Sequence, residues 1–289
     1  MTRTLRLATR ASELALWQAR HVAGLLRGIA PTFAVELIAV TSSGDADRQT
    51  PLYGMGNVGV FAREVHEAVL DGRADIAVHS CKDLPTTPPD GCCRPVILKR
   101  ADPRDCLIGV RSIEALPQGA TIGSSSLRRR AELALLRPDL SFVNIRGNVA
   151  TRMAKASNGE VDATILACAG LKRLGLSRAA AGYALDPLRE MIPAPAQGAV
   201  ACDARADDRL AQVLLERIAD RETTIAVGIE RAVLAGLRGG CSLPLGCHVR
   251  RHRARWYLAA RLHAEDGVRQ LAIEGSALEL PELALAELS

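Results

Sequence analysis

One local pattern occurs twice in this chain and restricts the fold more than any other feature of the sequence. In both copies a helical segment ends at a glycine turn, an aspartate follows three residues after the glycine, and an apolar strand ends in polar residues. The aspartates are Asp75 and Asp162, about 87 residues apart. A helix and a buried strand repeated in this way are typical of βα units with parallel strands. The sequence therefore predicts an α/β fold with two lobes of similar design.

Other periodic segments extend this prediction. Ser12, the serines at 124–126 and Thr223 each stand where a helix N-cap is expected. A segment rich in glycine and proline, residues 47–59, is expected to be a mobile loop. The predicted strands are 5–9, 34–40, 75–79, 142–145, 161–167, 199–202, 256–262 and 268–273, and the predicted helices are 12–26, 61–70, 149–157, 207–218 and 223–237.

The predicted domain boundaries follow the proline-containing segments. Lobe 1 comprises residues 1–98 and 199–218, lobe 2 comprises residues 104–192, and residues 220–289 form a small α+β domain. Hinges are expected at 99–103 and 193–198. Two crossings between two lobes would place a cleft between them, and clefts are the usual sites of ligands.

Composition excludes some function classes. Of 37 basic residues 33 are arginine, but the net charge is only +5, and aromatic residues make up 3% of the chain. Acidic residues interleaved along the chain and so few aromatics count against nucleic-acid binding. No apolar run is long enough to cross a membrane, and the N-terminus does not read as a transit peptide, so we expect a cytoplasmic protein.

The eight cysteines include no Cys-x-x-Cys pair and are expected to be mostly small buried apolar residues. Cys241, Cys247, His248 and His252 match no common zinc-ligand spacing, so the sequence predicts no metal site.

Polar residues follow two predicted strands between Thr121 and Arg152. Helix N-termini attract anions, and the planar guanidinium group binds carboxylates or phosphates better than an ammonium group does. Arg128, Arg129, Arg146 and Arg152 are therefore predicted to bind a molecule with several negative groups, whereas Arg130 and Arg137 are interpreted as a solvated helix face.

Two further places could carry chemistry. Asp83 follows Lys82 at a strand end, where a carboxylate can stabilise a developing cation or move a proton, although a surface Lys–Asp pair is the common alternative. Cys241 follows two glycines in a loop after a helix and is a nucleophile only if its pKa is lowered. The residues alone do not distinguish Cys241 from the other seven cysteines.

Many short motifs are spread over nearly the whole chain. They are Ala8–Ser12 with Leu16-Trp17-Gln18, Ala74–Ser80 with Lys82-Asp83, Gly123–Arg129, Arg137–Asp139, Ile145–Val149 with Thr151-Arg152, Ala169–Leu176, Gln197–Ala199, and Gly239–Cys241 with Pro244. In these motifs and in their order the chain resembles the porphobilinogen deaminases, and so many ordered matches make chance matching implausible.

The resemblance implies three domains, of which the first two resemble type II periplasmic binding proteins. It also implies a monomer carrying a dipyrromethane cofactor, made from substrate and joined to Cys241 by a thioether. Four porphobilinogen molecules would add head to tail, each losing ammonia, before hydrolysis frees the linear tetrapyrrole hydroxymethylbilane. The resemblance implies that Asp83 and Lys82 are catalytic. The cofactor would be held, besides its bond to Cys241, by Ser126, Arg128, Arg129, Arg146, Lys82 and Asp83. The substrate would be bound by Arg10, Ser12, Arg146, Arg152, Arg173 and Gln197.

Two departures from the family pattern stand out. The loop that usually reads Gly-Gly-Lys-Gly lacks its lysine near Val58, and the usual Gly-Gln-Gly is Ala196-Gln197-Gly198. The missing lysine is the only support in the sequence for an alternative, a bilobed polycarboxylate-binding protein without catalysis. Since Cys241, Asp83 and the arginines are present, we expect an active enzyme.

Overall fold

The computed structural model describes residues 3–41, 59, 61–178, 180, 182–187, 189–240 and 243–289. The predicted loop before Gly59 and the predicted cofactor attachment residue Cys241 lie outside the described residues. The chain divides into two compact units. Unit 1 is built from Met1–Asp47, Asn57–Arg100 and Ala199–Thr224, and unit 2 chiefly from Ala101–Gly198 and Ile225–Ser289.

Unit 1 contains a five-stranded sheet with the order β2-β1-β3-β10-β4. The first three strands are parallel, and β10 is antiparallel to both of its neighbours. Apolar side chains from one face of the sheet pack with α1 and α6 around Leu7, Leu26 and Leu215. The elements are β1 (Thr4–Arg10), α1 (Glu13–Ile29), β2 (Ala34–Val40), α2 (Arg63–Leu70), β3 (Ile76–Ser80), β4 (Val96–Ile97), β10 (Val200–Ala204) and α6 (Arg209–Glu216).

Unit 2 contains a second five-stranded sheet of equivalent order, β7-β6-β8-β5-β9. Here β6, β7 and β8 are parallel, and β5 is antiparallel to β8 and β9. Its core surrounds Leu107, Ile122 and Leu133. The elements are β5 (Asp105–Ile108), β6 (Thr121–Gly123), α3 (Leu127–Leu136), β7 (Ser141–Val143), α4 (Val149–Ser157), β8 (Ala163–Ala167), α5 (Cys168–Arg173) and β9 (Tyr183–Ala184).

A three-stranded antiparallel sheet, β11-β12-β13, completes unit 2. Two helices pack on it around Val233, Leu258 and Leu280. The elements are α7 (Arg221–Gly236), β11 (Leu245–His252), β12 (Arg255–Ala264), β13 (Gly267–Gly275) and α8 (Glu279–Leu288). None of the helices in the described part of the chain combines the length and apolar character that crossing a membrane requires.

The fold is therefore α/β, with two sheets in the strand order of type II periplasmic binding proteins and a small α+β part at the C-terminus. The prediction of parallel strands is right for the first three strands of each sheet and wrong for β10. Strand β5, which was not predicted, is likewise antiparallel to its neighbours. Each of these strands begins after a chain crossing and therefore enters its sheet from the opposite end.

The predicted strand 34–40 and helix 149–157 have these same bounds in the structure. Strand β11 was not predicted, because its second half is a polar run of arginine and histidine. The predicted cap at Thr223 is wrong. Asp220 takes that role, since its Oδ1 accepts a hydrogen bond from the Thr223 backbone N–H at 2.8 Å.

Candidate functional site

The carboxyl ends of β1 and β3 lie side by side in unit 1 and place polar residues around one cavity. Arg10 ends β1, Ser80 ends β3, and a single 3₁₀ turn, Cys81–Asp83, follows at once. Because these strands are parallel neighbours, their ends meet at one edge of the sheet. The cavity measures about 110 Å³, and its lining includes Arg10, Ser12, Ser80, Lys82 and Asp83.

Local contacts hold these side chains in place. The guanidinium carbon of Arg10 lies 4.1 Å from the centre of the Phe61 ring. The hydroxyl of Ser12 accepts a hydrogen bond from the Ala15 backbone N–H at 3.4 Å, so the predicted N-cap of α1 is confirmed. The side-chain Nε2 of buried Gln18 donates a hydrogen bond to the Ser80 hydroxyl at 3.0 Å.

The donor chemistry of this cavity suits an organic polyanion. Arg10 and Lys82 supply two cations, and Ser12 supplies a hydroxyl, all of which can bind carboxylate groups. Asp83 supplies one partly buried carboxylate, which can accept an N–H hydrogen bond or stabilise a cation. The structure therefore brings together four of the residues predicted for this site.

A second polar cluster, in unit 2, is centred on Asp105. This fully buried carboxylate accepts a hydrogen bond from Arg128 at 2.7 Å, two from Arg129 at 3.0 and 2.8 Å, and one from Gln197 at 2.9 Å. Burial on its own would raise the pKa of Asp105, but the charges of Arg128 and Arg129 outweigh burial and hold the pKa well below its usual range.

The arginines of this cluster are directed inward. Besides Asp105, Arg128 donates to the Ile192 carbonyl at 2.8 Å and Arg129 to the Ile165 carbonyl at 3.0 Å. The structure thus brings Arg128, Arg129 and Gln197 together on a buried counter-ion rather than on an open surface. Their part in binding a ligand stays a prediction.

The remaining residues of the predicted anion site surround the starts of α3 and α4. Ser126 caps α3 by accepting from the Arg129 backbone N–H at 3.4 Å, as predicted. Arg146 and Arg152 are partly exposed, and Arg152 Nε donates to the Gly147 carbonyl at 2.9 Å. Gly147 has a φ of +114°, and a Cβ there would lie 2.8 Å from Thr151 Cγ2, so the turn requires glycine.

The interpretation of Arg130 and Arg137 as a solvated face is wrong. Arg130 donates to the Ser124 carbonyl at 2.7 Å and to Asn144 Oδ1 at 2.7 Å. Arg137 binds both carboxylate oxygens of Asp139 and donates to the carbonyls of Ile113, Leu116 and Pro117. Both arginines therefore fasten loops.

Half-buried Arg173 contacts the second chain crossing, residues 193–198, in unit 2. Arg173 donates to the Gly198 carbonyl at 2.7 Å, and burial lowers its pKa to about 10. Ala196, where the family pattern has glycine, has a φ of +62°. Its backbone N–H donates to the buried carboxylate of Glu230 at 2.6 Å, which fixes this left-handed residue in place.

Sequence reasoning missed Asp105 and Glu230, the two carboxylates that organise unit 2. A carboxylate at the first position of the apolar strand 105–108 was a signal for the first of them, since a charge buried in this way needs a partner. Glu230 stands inside an amphipathic helix, where nothing in the local sequence marks it.

The fold and the cavity define an α/β protein equipped to bind a ligand with several carboxylates. The family description "Porphobilinogen deaminase, dipyromethane cofactor binding domain" matches residues 5–213, and "Porphobilinogen deaminase, C-terminal domain" matches residues 224–287. The chain belongs to the porphobilinogen deaminase family.

Two relatives named porphobilinogen deaminase show how much of the chain this covers. The protein of Nitratidesulfovibrio vulgaris is 47% identical over 84% of this chain and 76% of its own length. The protein of Syntrophomonas wolfei is 43% identical over 92% of this chain and 87% of its own. Among solved structures, the LysR-family regulator CbnR covers 76% of this chain and 71% of its own with a TM-score of 0.46 at 11% identity, too distant to add to the description of the fold.

Proposed function

We propose that this chain is a hydroxymethylbilane synthase. It would join four porphobilinogen molecules head to tail on a dipyrromethane group attached to Cys241, with loss of ammonia at each addition, and release the linear tetrapyrrole by hydrolysis. The observation that carries this proposal is the unit 1 cavity, which combines Asp83 with the cations Arg10 and Lys82. Membership of the family and the names of both relatives support it.

The residues present fit a dipyrromethane group by the chemistry of their donors. Each pyrrole of such a group carries an acetate and a propionate arm and one ring N–H. The cavity offers cations and hydroxyls for the arms and one carboxylate for the ring N–H. When bound, the group supplies a primer to which the next pyrrole is joined. The proposed holders are Cys241, Ser126, Arg128, Arg129, Arg146, Lys82 and Asp83.

Asp83 would act on the incoming substrate. As ammonia leaves, positive charge develops on the pyrrole, and a fixed carboxylate in a partly buried site stabilises that charge. One such preorganised group contributes roughly 3–4 kcal/mol. The same carboxylate can take the proton released when the new carbon–carbon bond forms.

The basic residues would position the arms rather than react. Arg10 lies against the Phe61 ring, and its planar fork can bind a carboxylate through two hydrogen bonds. Lys82 precedes Asp83 in the same turn and would fix an arm beside the reacting ring. We infer that Arg10, Ser12, Arg146, Arg152, Arg173 and Gln197 bind the substrate. The monomeric state, the cytoplasmic location and the lack of a nucleic-acid partner stay predictions.

Intact mass tests the attachment. The wild-type chain is expected to exceed its sequence mass by two linked pyrroles, and Cys241→Ser is expected to lack both the excess and the activity. Cys92→Ser is the control, because burial raises the pKa of the Cys92 thiol to about 11 and makes it a poor nucleophile. An unmodified chain that turns over porphobilinogen normally would refute the proposal. An unmodified, inactive chain that binds polycarboxylates would support the binding-protein alternative.

A further inference from the structure

A second set of polar residues lies in unit 1, on the sheet face covered by α2. In the antiparallel pair of β10 and β3, His79 stands opposite Ala201, and Asp203 stands opposite Ala77. Since side chains alternate between faces along a strand, His79 and Asp203 are diagonal neighbours on one face. His66, on α2, packs over the same place. The fold thus gathers three side chains from three separate elements.

The distances within this cluster are short. The Nε2 atom of His66 lies 3.1 Å from Asp203 Oδ2, and the Nε2 atom of His79 lies 3.8 Å from the same oxygen. The two imidazole rings have centroids 4.6 Å apart. One ligand atom from each residue lies within 4.8 Å of the other two. All three residues are buried, with exposures of 5%, 6% and 1% for His66, His79 and Asp203.

Two polar atoms of this cluster have no hydrogen-bond partner among the residues that the structure describes. They are Nε2 of His79 and Oδ1 of Asp203, and both are inaccessible to solvent. A buried polar atom left without a partner costs about 1–3 kcal/mol. Both atoms belong to groups that bind metals through lone pairs, so a metal ion bound at this cluster would give each of them a partner.

We propose that His66, His79 and Asp203 form a binding site for a transition-metal dication of the zinc class. Imidazole and carboxylate ligands suit zinc, whereas magnesium and calcium prefer oxygen ligands alone. Tetrahedral zinc with bonds of about 2.0–2.2 Å needs ligand atoms roughly 3.3 Å apart. The distances of 3.1 and 3.8 Å from Asp203 Oδ2 lie on either side of that value, and the 3.1 Å contact is a hydrogen bond to His66 that a bound metal would replace.

The surroundings set the expected strength and effect of binding. Three protein ligands leave a fourth position for water, and Arg10 carries a positive charge close enough to act on His79. We therefore expect weaker binding than at a structural zinc site with four protein ligands. Bound metal would join α2 to β3 and β10 directly before Ser80, and so stiffen the strand that leads into Lys82 and Asp83. This inference does not depend on the proposed function.

Metal stoichiometry tests the site. Untagged, chelator-treated protein is dialysed against zinc, and bound metal is measured by mass spectrometry. We expect one zinc per chain, and His66→Gln and Asp203→Asn should each weaken binding by more than the ~10–100-fold that loss of an outer partner costs. The matched control is His252→Gln, which removes an exposed histidine that also pairs with a carboxylate, that of Glu274, and which should bind zinc like the wild type.

A second measurement uses the wild-type protein and therefore tests the site even if the variants fail to fold. In the wild-type protein, zinc titration followed by nitrogen-15 NMR should shift the ring-nitrogen signals of His66 and His79 and leave those of His252 in place. Zinc binding unchanged in a folded His66→Gln variant would overturn the proposal. So would a wild-type chain that takes up no zinc, which would mean that water satisfies the orphan atoms.

Discussion

The two five-stranded sheets have equivalent strand orders, yet they treat their charged residues in opposite ways. Each buries one carboxylate on its antiparallel strand, Asp203 on β10 and Asp105 on β5. Asp105 is saturated by two arginines and a glutamine. Among the described residues, Asp203 is paired with two histidines, His66 and His79, and its Oδ1 atom has no hydrogen-bond partner.

The cationic side chains at the strand ends differ between the two units in the same way. In unit 2, Arg128 and Arg129 turn inward to the buried carboxylate, whereas in unit 1 Arg10 and Lys82 line a cavity. An arginine at a strand-to-helix junction is therefore not by itself a ligand-binding residue. A buried counter-ion beneath such an arginine gives its charge a structural role besides any part in ligand binding.

The largest effect is expected from Asp105→Asn. It leaves two buried guanidinium groups without their shared negative charge, and breaking such a buried pair costs about 3–5 kcal/mol of unfolding free energy. Urea unfolding measures this loss. Asp266→Asn, which breaks an exposed ion pair with Arg269, is the control and should cost under about 1 kcal/mol. Equal effects of the two substitutions would mean that the Asp105 cluster is not a structural centre.

In unit 1 the corresponding test concerns activity. Asp83→Asn is expected to lower turnover of porphobilinogen by about 10²–10³-fold, because a fixed charge beside the developing cation is lost. The adduct at Cys241 and the urea midpoint should not change. Asp90→Asn, an exposed loop substitution nearby, should leave turnover unaltered. Near-normal turnover by Asp83→Asn would remove the role assigned to this carboxylate.

The pH dependence of stability separates the two regions further. The pKa of Asp105 is lower in the folded chain than its unfolded value of about 3.9, so the folded state binds fewer protons. The stability contributed by this cluster is present above about pH 4 and is lost as pH falls through the folded pKa. Urea midpoints measured from pH 5 downward should fall less steeply in Asp105→Asn than in wild type. An identical slope would contradict the assignment.

The smallest change in stability is expected from substitutions at Ala196 and Gly198, which flank Gln197, the residue that donates a hydrogen bond to Asp105. Ala196→Gly should stabilise the chain by up to about 1 kcal/mol, because a left-handed alanine is strained by more than glycine loses in chain entropy. Gly198→Ala should do the opposite, since its φ is +86° and a Cβ would lie 2.8 Å from the Ala101 carbonyl oxygen. Thermal unfolding distinguishes the two signs, and a destabilised Ala196→Gly would show that Ala196 is not strained.

The sequence by itself determined the local elements and the family. Periodicity located β2 and α4 with their observed bounds, and the serines at positions 12 and 126 cap the helices they were predicted to cap. These features depend on interactions within a few residues, so a short window of sequence contains the information. The repeated pattern around Asp75 and Asp162 likewise predicted two similar sheets.

Only the tertiary structure decided which charges are buried together. Arg128 is 23 residues from Asp105, and His66 is 137 residues from Asp203. Such pairs depend on the register and direction of β5 and β10, and those are set by chain crossings that leave no periodic signal. The same arginine-rich motif can bind a ligand or a buried carboxylate, and long-range strand pairing makes the choice.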